Sequence, residues 1–283
     1  MKKIFLVLTI FILVLSFGKL LKAEVIDEEK VIENMKKSLS VPPNAEVKIV
    51  DLKPSQFPNF YQGQIEMSFK GSQFRQSIFI STDSRYYFVG TVYDSNLDYD
   101  QMRQKMVNLK DEPYKGGEKA KVTIVEYSDL QCGTCKKAHE MFQNEHLIES
   151  YQGKVKLVFK GFPLKSHNWA MQAAIGCQCA YEQNPKAFWK MTDQIFAHQD
   201  EINAGNVDVQ ISSAAQSIGL KMKLFNECYD KKVPLDRINA DVAEGNQIGI
   251  GSTPSFIING RLVVGIPEVA QYKEVINYFL SQK

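Results

Sequence analysis

The stretch "AKVTIVEYSDLQCGTCKKAHEMF", residues 120–142, decides how this chain is read. Val122 to Ser128 form a mostly apolar run, the pattern of a central strand buried on both faces. From Cys132 the pattern predicts a helix to about Ser150. The two cysteines of "CGTC", Cys132 and Cys135, therefore sit at a strand-to-helix junction. Free backbone N–H groups and the helix dipole favour a thiolate there. A first cysteine so placed has its pKa lowered from the ordinary ~8.5. The second, one turn on, can attack a mixed disulfide and release its partner. Asp129 is expected to weaken the effect, and Lys136 and Lys137 to offset it. A c-type haem anchor needs His directly after the second cysteine, where this chain has Lys136. A structural zinc site wants a second ligand pair; His139 or Met141 with Cys177 or Cys179 show no such spacing. A redox pair is the favoured reading. A metal-binding or metal-delivery module using Cys132, Cys135 and His139 is the alternative.

Outward from this stretch the chain falls into parts. Its 283 residues are 44% apolar, and a net charge of +2 gives no basic field for nucleic acid. The start reads as an export signal over residues 1–23: Lys2 and Lys3, then the apolar Ile4 to Phe17, then Ala23 at the cleavage position. Leu21 suits cleavage less well, which leaves an uncleaved membrane anchor open. Export implies an oxidising compartment, where disulfides persist. Residues 24–94 are expected to form a small α+β domain. Val31, Ile32, Met35 and Leu39 lie at helical spacing, and "QIEMSFK", "QSIFI" and "YYFVGTVY" read as strands. Residues 95–115 are expected as a linker helix with a thin stripe of Met102, Met106 and Leu109, ended by Pro113 and the following glycines. From residue 116 the order is strand, helix, strand, a helical block over about 165–248, then strand "SFIIN", hairpin "GRLVVG" and a last helix.

The C-terminal block, residues 116–283, resembles the thioredoxin-like disulfide oxidoreductases of the bacterial envelope, the DsbA/DsbC/DsbG superfamily. The resemblance rests on "AKVTIVEYSDLQCGTCKKAH", "FKGFPLKSHNWAMQAA", "CAYEQNPKAFWKM" and "GIGSTPSFIINGRLVVG". It implies an α/β, thioredoxin-like fold with a helical insertion, preceded by the small α+β domain and its linker helix. Cys132 then matches the nucleophile and Cys135 the resolving thiol. Thr253 and Pro254 match the cis-proline dipeptide lying against the cysteines, whose backbone binds an unfolded substrate; alone, "STP" reads as a simple strand-entry turn. Glu126 matches a buried acid whose raised pKa lets it take the proton of Cys135; a strand residue facing solvent is the alternative. Lys160, in "VFKGF", reads as a snorkelling lysine, and His139 and His167 as surface or packing residues.

Cys177 and Cys179 lie two apart on one predicted helix and face away from each other. The resemblance implies a structural Cys179–Cys228 bridge with Cys177 free; a Cys177–Cys228 bridge or buried reduced thiols are the alternatives. The N-terminal module resembles, more loosely, the dimerisation domain and linker of the DsbC/DsbG isomerases, which implies a homodimer. The expected activity is thiol–disulfide oxidation or isomerisation on unfolded or misfolded cysteine-containing envelope proteins. No organic cofactor or metal is expected, and a membrane redox partner resets the pair. A chaperone-type holdase with secondary thiols is a further alternative.

Overall fold

The computed structural model describes residues 26–69, 72–266 and 268–282; the expected export signal lies outside them. The described chain divides between Tyr93 and Asp94 into two units, each with a core of its own.

In the N-terminal unit, helix α1 (Glu28–Ser38) begins at Asp27, whose carboxylate accepts the Lys30 N–H at 3.0 Å. Strands β1 (Glu46–Pro54), β2 (Phe60–Phe69), β3 (Ser72–Ser81) and β4 (Tyr87–Val89) pair in that order, all antiparallel. Val31 and Met35 of α1 pack on Val47, Ile65, Ile78 and Ile80. On the other face Phe79 is buried under Phe57 and Phe88, and it stacks on Phe88 at 4.6 Å between ring centroids. The alternation of "QIEMSFK" and "QSIFI" anticipates β2 and β3 but not β1. In β1 the register shifts between Val50 and Lys53, and Asp51 has φ +57°, so the two-residue period breaks within the strand. The last strand is also shorter than "YYFVGTVY" suggests.

In the second unit, helix α2 (Tyr99–Met106) starts on the Asp98 carboxylate and ends at Val107, which is extended. It has no buried residue of its own. The expected linker helix is therefore cut to two turns, and sheet pairing takes the residues beyond it. Glu244 accepts the Asn108 N–H at 2.7 Å, and Tyr114–Gly116 becomes strand β5. The remaining strands are β6 (Val122–Ser128), β7 (Val155–Gly161), β8 (Ser255–Ile258) and β9 (Arg261–Val264). The sheet order is β5-β7-β6-β8-β9, with β6 and β7 parallel and the other pairs antiparallel. Helix α3 (Gly133–Asn144) joins β6 to β7, and α9 (Val269–Ser281) ends the chain. Asn259 and Gly260, both at positive φ, make the two-residue turn from β8 to β9. A side chain on Gly260 would strike the Asp100 carbonyl, so this turn lets α2 lie against it.

Between β7 and β8 come α4 (Ala170–Gln183), α5 (Pro185–Ala197), α6 (Val207–Ser217), α7 (Met222–Asp230) and α8 (Leu235–Gln247). The central strand β6 separates two cores. Ile124 faces α3, α9 and α4–α6 in the larger core, with Phe159 and Phe256. Val125 and Tyr127 face the smaller core with Val158, Phe162 and Ile248. This two-sided burial is why the sequence of β6 reads as one apolar run. No helix among the described residues is long and apolar enough to cross a membrane.

Lys160 does not snorkel. It is 1% exposed, and its ammonium lies 2.8 Å from Asp241, 2.9 Å from Glu244 and 3.5 Å from Glu112. Arg237 meets Glu112 at 2.9 Å, and the Tyr127 hydroxyl donates to Glu244 at 2.5 Å. Burial, then the Glu112 charge, pushes the Asp241 carboxyl up to about 7 against the pull of Lys160. These partners lie far from Lys160 in sequence, so nothing local announces the network.

Candidate active site

Cys132 is the N-cap of α3, with extended backbone at φ −78° and ψ 117°. The first turn of α3 holds no acidic side chain, so nothing there opposes the dipole. The carbonyl of Cys132 is held by the Gln199 side chain, which donates to it at 3.2 Å and to the Leu130 carbonyl at 2.8 Å. Gln131 adds a second tie by accepting the Trp169 N–H at 2.8 Å. The helical block thus fixes the loop that presents the sulfur. Sequence reasoning missed Gln199, which stands 67 residues from Cys132 without a recognisable local pattern.

The two thiols sit in opposite environments. The Cys135 thiol, the Thr253 hydroxyl and the backbone N–H groups of Cys135 and Thr134 favour a thiolate at Cys132; against the cost of burial they push it down to about 4. Cys135 is fully buried, and burial together with the neighbouring Cys132 sulfur pushes its thiol far up. The Cys132 sulfur lies 3.5 Å from the Thr253 carbonyl oxygen. The Thr253–Pro254 bond is cis and leads directly into β8.

Glu126 lies on β6 on the same face as Ile124, 3% exposed, and does not reach solvent. Burial pushes its carboxyl up, opposed by the Ser128 hydroxyl and the charges of His139 and Lys115. Asp129 engages its carboxylate with groups other than the Cys132 sulfur. Its buried carboxylate accepts the N–H groups of Gln131 and Leu164 at 2.7 and 2.8 Å and meets His167 Nδ1 at 2.8 Å. Its backbone N–H donates instead to the Cys135 sulfur at 3.4 Å. Lys136 pairs with Asp200 at 3.2 Å.

Cys132, Cys135, Thr253, Pro254 and Glu126 thus converge where β6, α3 and β8 meet. Cys179 and Cys228 lie apart from them and form a disulfide joining α4 to α7. Cys177 is a free thiol that burial pushes up to about 12, with the Thr192 hydroxyl 3.7 Å away. A metal set built from Cys132, Cys135 and His139 finds little support in this geometry. His139 is held by Asp193 at 2.8 Å, and Cys179 is bonded to Cys228. Among the described residues no group of three or more His, Cys, Asp or Glu is disposed to hold a metal ion.

Comparison with known proteins agrees with this architecture. Residues 108–278 match the family model described as Thioredoxin. The chain is similar to the crystal structure of oxidised BdbD from Bacillus subtilis, at 23% identity and a TM-score of 0.56, over 62% of this chain and 96% of that one. It is also similar to α-DsbA1 from Wolbachia pipientis, at 25% identity and a TM-score of 0.55, over 62% and 94%. Among curated proteins it is similar to Disulfide bond formation protein D of Bacillus subtilis, at 22% identity over 62% of this chain and 80% of that protein. It is 32% identical over 148 residues to the Na(+)/H(+) antiporter NhaA 3 of Salinispora tropica, over 52% of this chain and 21% of the antiporter. The chain thus spans about a fifth of the length of the antiporters it matches.

Proposed function

Because the chain belongs to the thioredoxin family, we propose that it is a thiol–disulfide oxidoreductase working as a disulfide donor, with Cys132 and Cys135 as its redox pair. The observation that carries this reading is the placement of the two sulfurs: Cys132 starts α3 beside the Thr253 carbonyl, and Cys135 lies buried one turn on, which holds the Cys132 thiolate down to about 4 and pushes Cys135 far up. A thiolate this favoured stabilises the reduced pair and makes Cys132 a good leaving group, which is the poise of a strong oxidant.

A substrate thiolate attacks the Cys132 sulfur of the Cys132–Cys135 disulfide. One S–S bond forms to the substrate, and Cys135 leaves as a thiolate and takes a proton from the Glu126 carboxyl. A second substrate thiolate then attacks the substrate sulfur of the mixed disulfide. The substrate disulfide closes, Cys132 leaves as a thiolate, and two electrons have passed from substrate to the pair. A membrane redox partner takes them away. Thr253, with its carbonyl beside the Cys132 sulfur, offers main-chain hydrogen bonds to an extended substrate, which are tolerant of its sequence. The substrates on this reading are unfolded cysteine-containing proteins of the cell envelope. Export is supported by the apolar N-terminal segment and by the Cys179–Cys228 disulfide. We assign the N-terminal unit to dimerisation on its helix-on-sheet build alone.

Cys132→Ser is expected to abolish oxidation of a reduced, unfolded ribonuclease; full activity in that variant would overturn the reading. Thiol trapping in cells sets the direction. A pair found mostly oxidised supports the donor role, and one found mostly reduced replaces it with an isomerase.

A further inference from the structure

The proton that Cys135 and Glu126 exchange starts from two buried groups. Cys135 is fully buried and Glu126 is 3% exposed, and Glu126 Oε1 has no hydrogen-bond partner. Both must nevertheless come to equilibrium with solvent once per turnover, because the substrate thiols release protons to water. Glu126 does line a small cavity of about 30 Å³, together with His139, Gln143, Lys115, Glu149 and Trp189. That volume has room for one water molecule, and the polar groups lining it can bind one. His139 stands four residues after Cys135 on α3, so the two share a face of that helix. Its Nε2 meets Asp193 Oδ1 at 2.8 Å, and Gln143 donates to the same oxygen at 2.7 Å. The Asp193 side chain is 42% exposed, so the chain of polar groups that begins at Glu126 ends in solvent.

We propose that His139, held by Asp193, acts on Glu126 across the cavity and carries its proton between the buried pair and solvent. This rests on the oxidoreductase reading above. When a mixed disulfide on Cys132 is resolved, the proton of the Cys135 thiol passes to the Glu126 carboxylate. The Cys135 thiolate then attacks Cys132, the intramolecular disulfide forms, and the substrate thiolate departs. Glu126 returns the proton through the cavity to the His139–Asp193 pair and so to water. In the donor direction the same steps run backwards.

Several elements bring polar or titratable groups to Glu126. Ser128 comes from β6 itself, Lys115 from β5, His139 from α3 and Tyr272 from α9; Asp193 of α5 stands behind His139, and Glu149 lies at the cavity edge. Lys115 is held over the Trp189 ring, 4.4 Å from its centroid, and His139 links the cavity to the partly exposed Asp193 carboxylate. The charge of His139 lowers the Glu126 pKa, so its removal moves the titration of Glu126 upward.

The test is the rate at which the full chain, carrying a peptide disulfide-bonded to Cys132, releases that peptide as pH is varied. In the parent protein the rate rises with the ionisation of Glu126. In His139→Gln the midpoint of that rise moves up by about one pH unit, the scale of a removed neighbouring charge, and release at any pH well below the midpoint slows about tenfold. Asp193→Asn moves it the same way by a smaller amount. Glu126→Gln flattens the profile, and His139→Gln added to it changes nothing further. Alkylation of Cys132 at the parent rate shows that each variant is folded. A His139→Gln profile that superimposes on the parent, moves down in pH, or changes equally in the Glu126→Gln background overturns the inference and leaves the oxidoreductase reading standing. A parent protein that releases no peptide at any pH overturns both.

Discussion

At the scale of the residue, the site is a contrast between two sulfurs three positions apart. Cys132 sits where α3 begins, and Cys135 lies one turn deeper, cut off from water. With its thiolate held down to about 4, Cys132 is expected to react with iodoacetamide at a nearly constant rate from pH 8 to about 5 and at half that rate near pH 4. Mass spectrometry of the alkylated protein checks this, and a midpoint near the ordinary ~8.5 would sink it. The sign of the linked stability follows. The folded Cys132 pKa lies below that of a free thiol, so this thiolate adds stability to the reduced protein that is complete above the free-thiol value and is lost as pH falls towards about 4, while the raised Cys135 thiol works the other way above the free-thiol value. Much of this contrast is legible in "CGTC" and the strand before it, because the helix start, the spacing and the buried strand are all local. The role of Asp129 is not: its carboxylate is taken by Leu164 and His167, more than thirty residues away. Nor is that of Lys160, whose counter-charges come from the β5 approach and from α8.

At the scale of the element, strong hydrophobic periods are readable and weakly anchored segments are not. The helices from α4 to α8 follow their apolar spacing closely, and Asn184 and Pro185 mark the start of α5 by cap and proline together. The linker helix is overread because a stripe of three apolar side chains is too thin to hold about six turns' worth of helix against sheet pairing at Tyr114. β1 is underread because its period breaks at Asp51. Helix α7 shows what holds a weak element in place. It has nine residues, and Phe225 is the one it buries fully. The Cys179–Cys228 disulfide ties it to α4 across a separation of 49 residues. Closing a loop of that length is worth about 4 kcal/mol in the chain-entropy account. The double variant Cys179→Ala, Cys228→Ala is therefore expected to lose about that much in denaturant unfolding, with hydrogen exchange rising first in α7. The alkylation rate of Cys132 should stay as it is, since the bridge lies apart from the redox pair. A loss under about 1 kcal/mol would mean that Phe225 and the neighbouring helices hold α7 without the bridge.

At the scale of the whole molecule, the chain carries its proposed chemistry in one unit and a separate core in the other. Every group assigned to proton and electron transfer lies beyond residue 94, within the stretch that matches the thioredoxin family. The N-terminal core depends on few side chains, with Phe79 buried under the rings of Phe57 and Phe88 on one face of its sheet. Phe79→Ala is expected to cost that unit about 3–5 kcal/mol, as deletion of a buried aromatic ring does. A domain of that size has little stability in reserve, so the change should unfold it at a temperature where the second unit stays folded. Two separate transitions in calorimetry would follow, and the oxidation of a reduced substrate with two cysteines should proceed at the parent rate. A chain beginning at Asp94 should behave in the same way and sediment as a monomer, whereas the full chain sediments as a dimer if the N-terminal unit joins two copies. Loss of substrate oxidation in either variant, with the second unit still folded, would place part of the chemistry in the N-terminal unit. The division of labour would then have to be redrawn around residues that the redox pair does not touch.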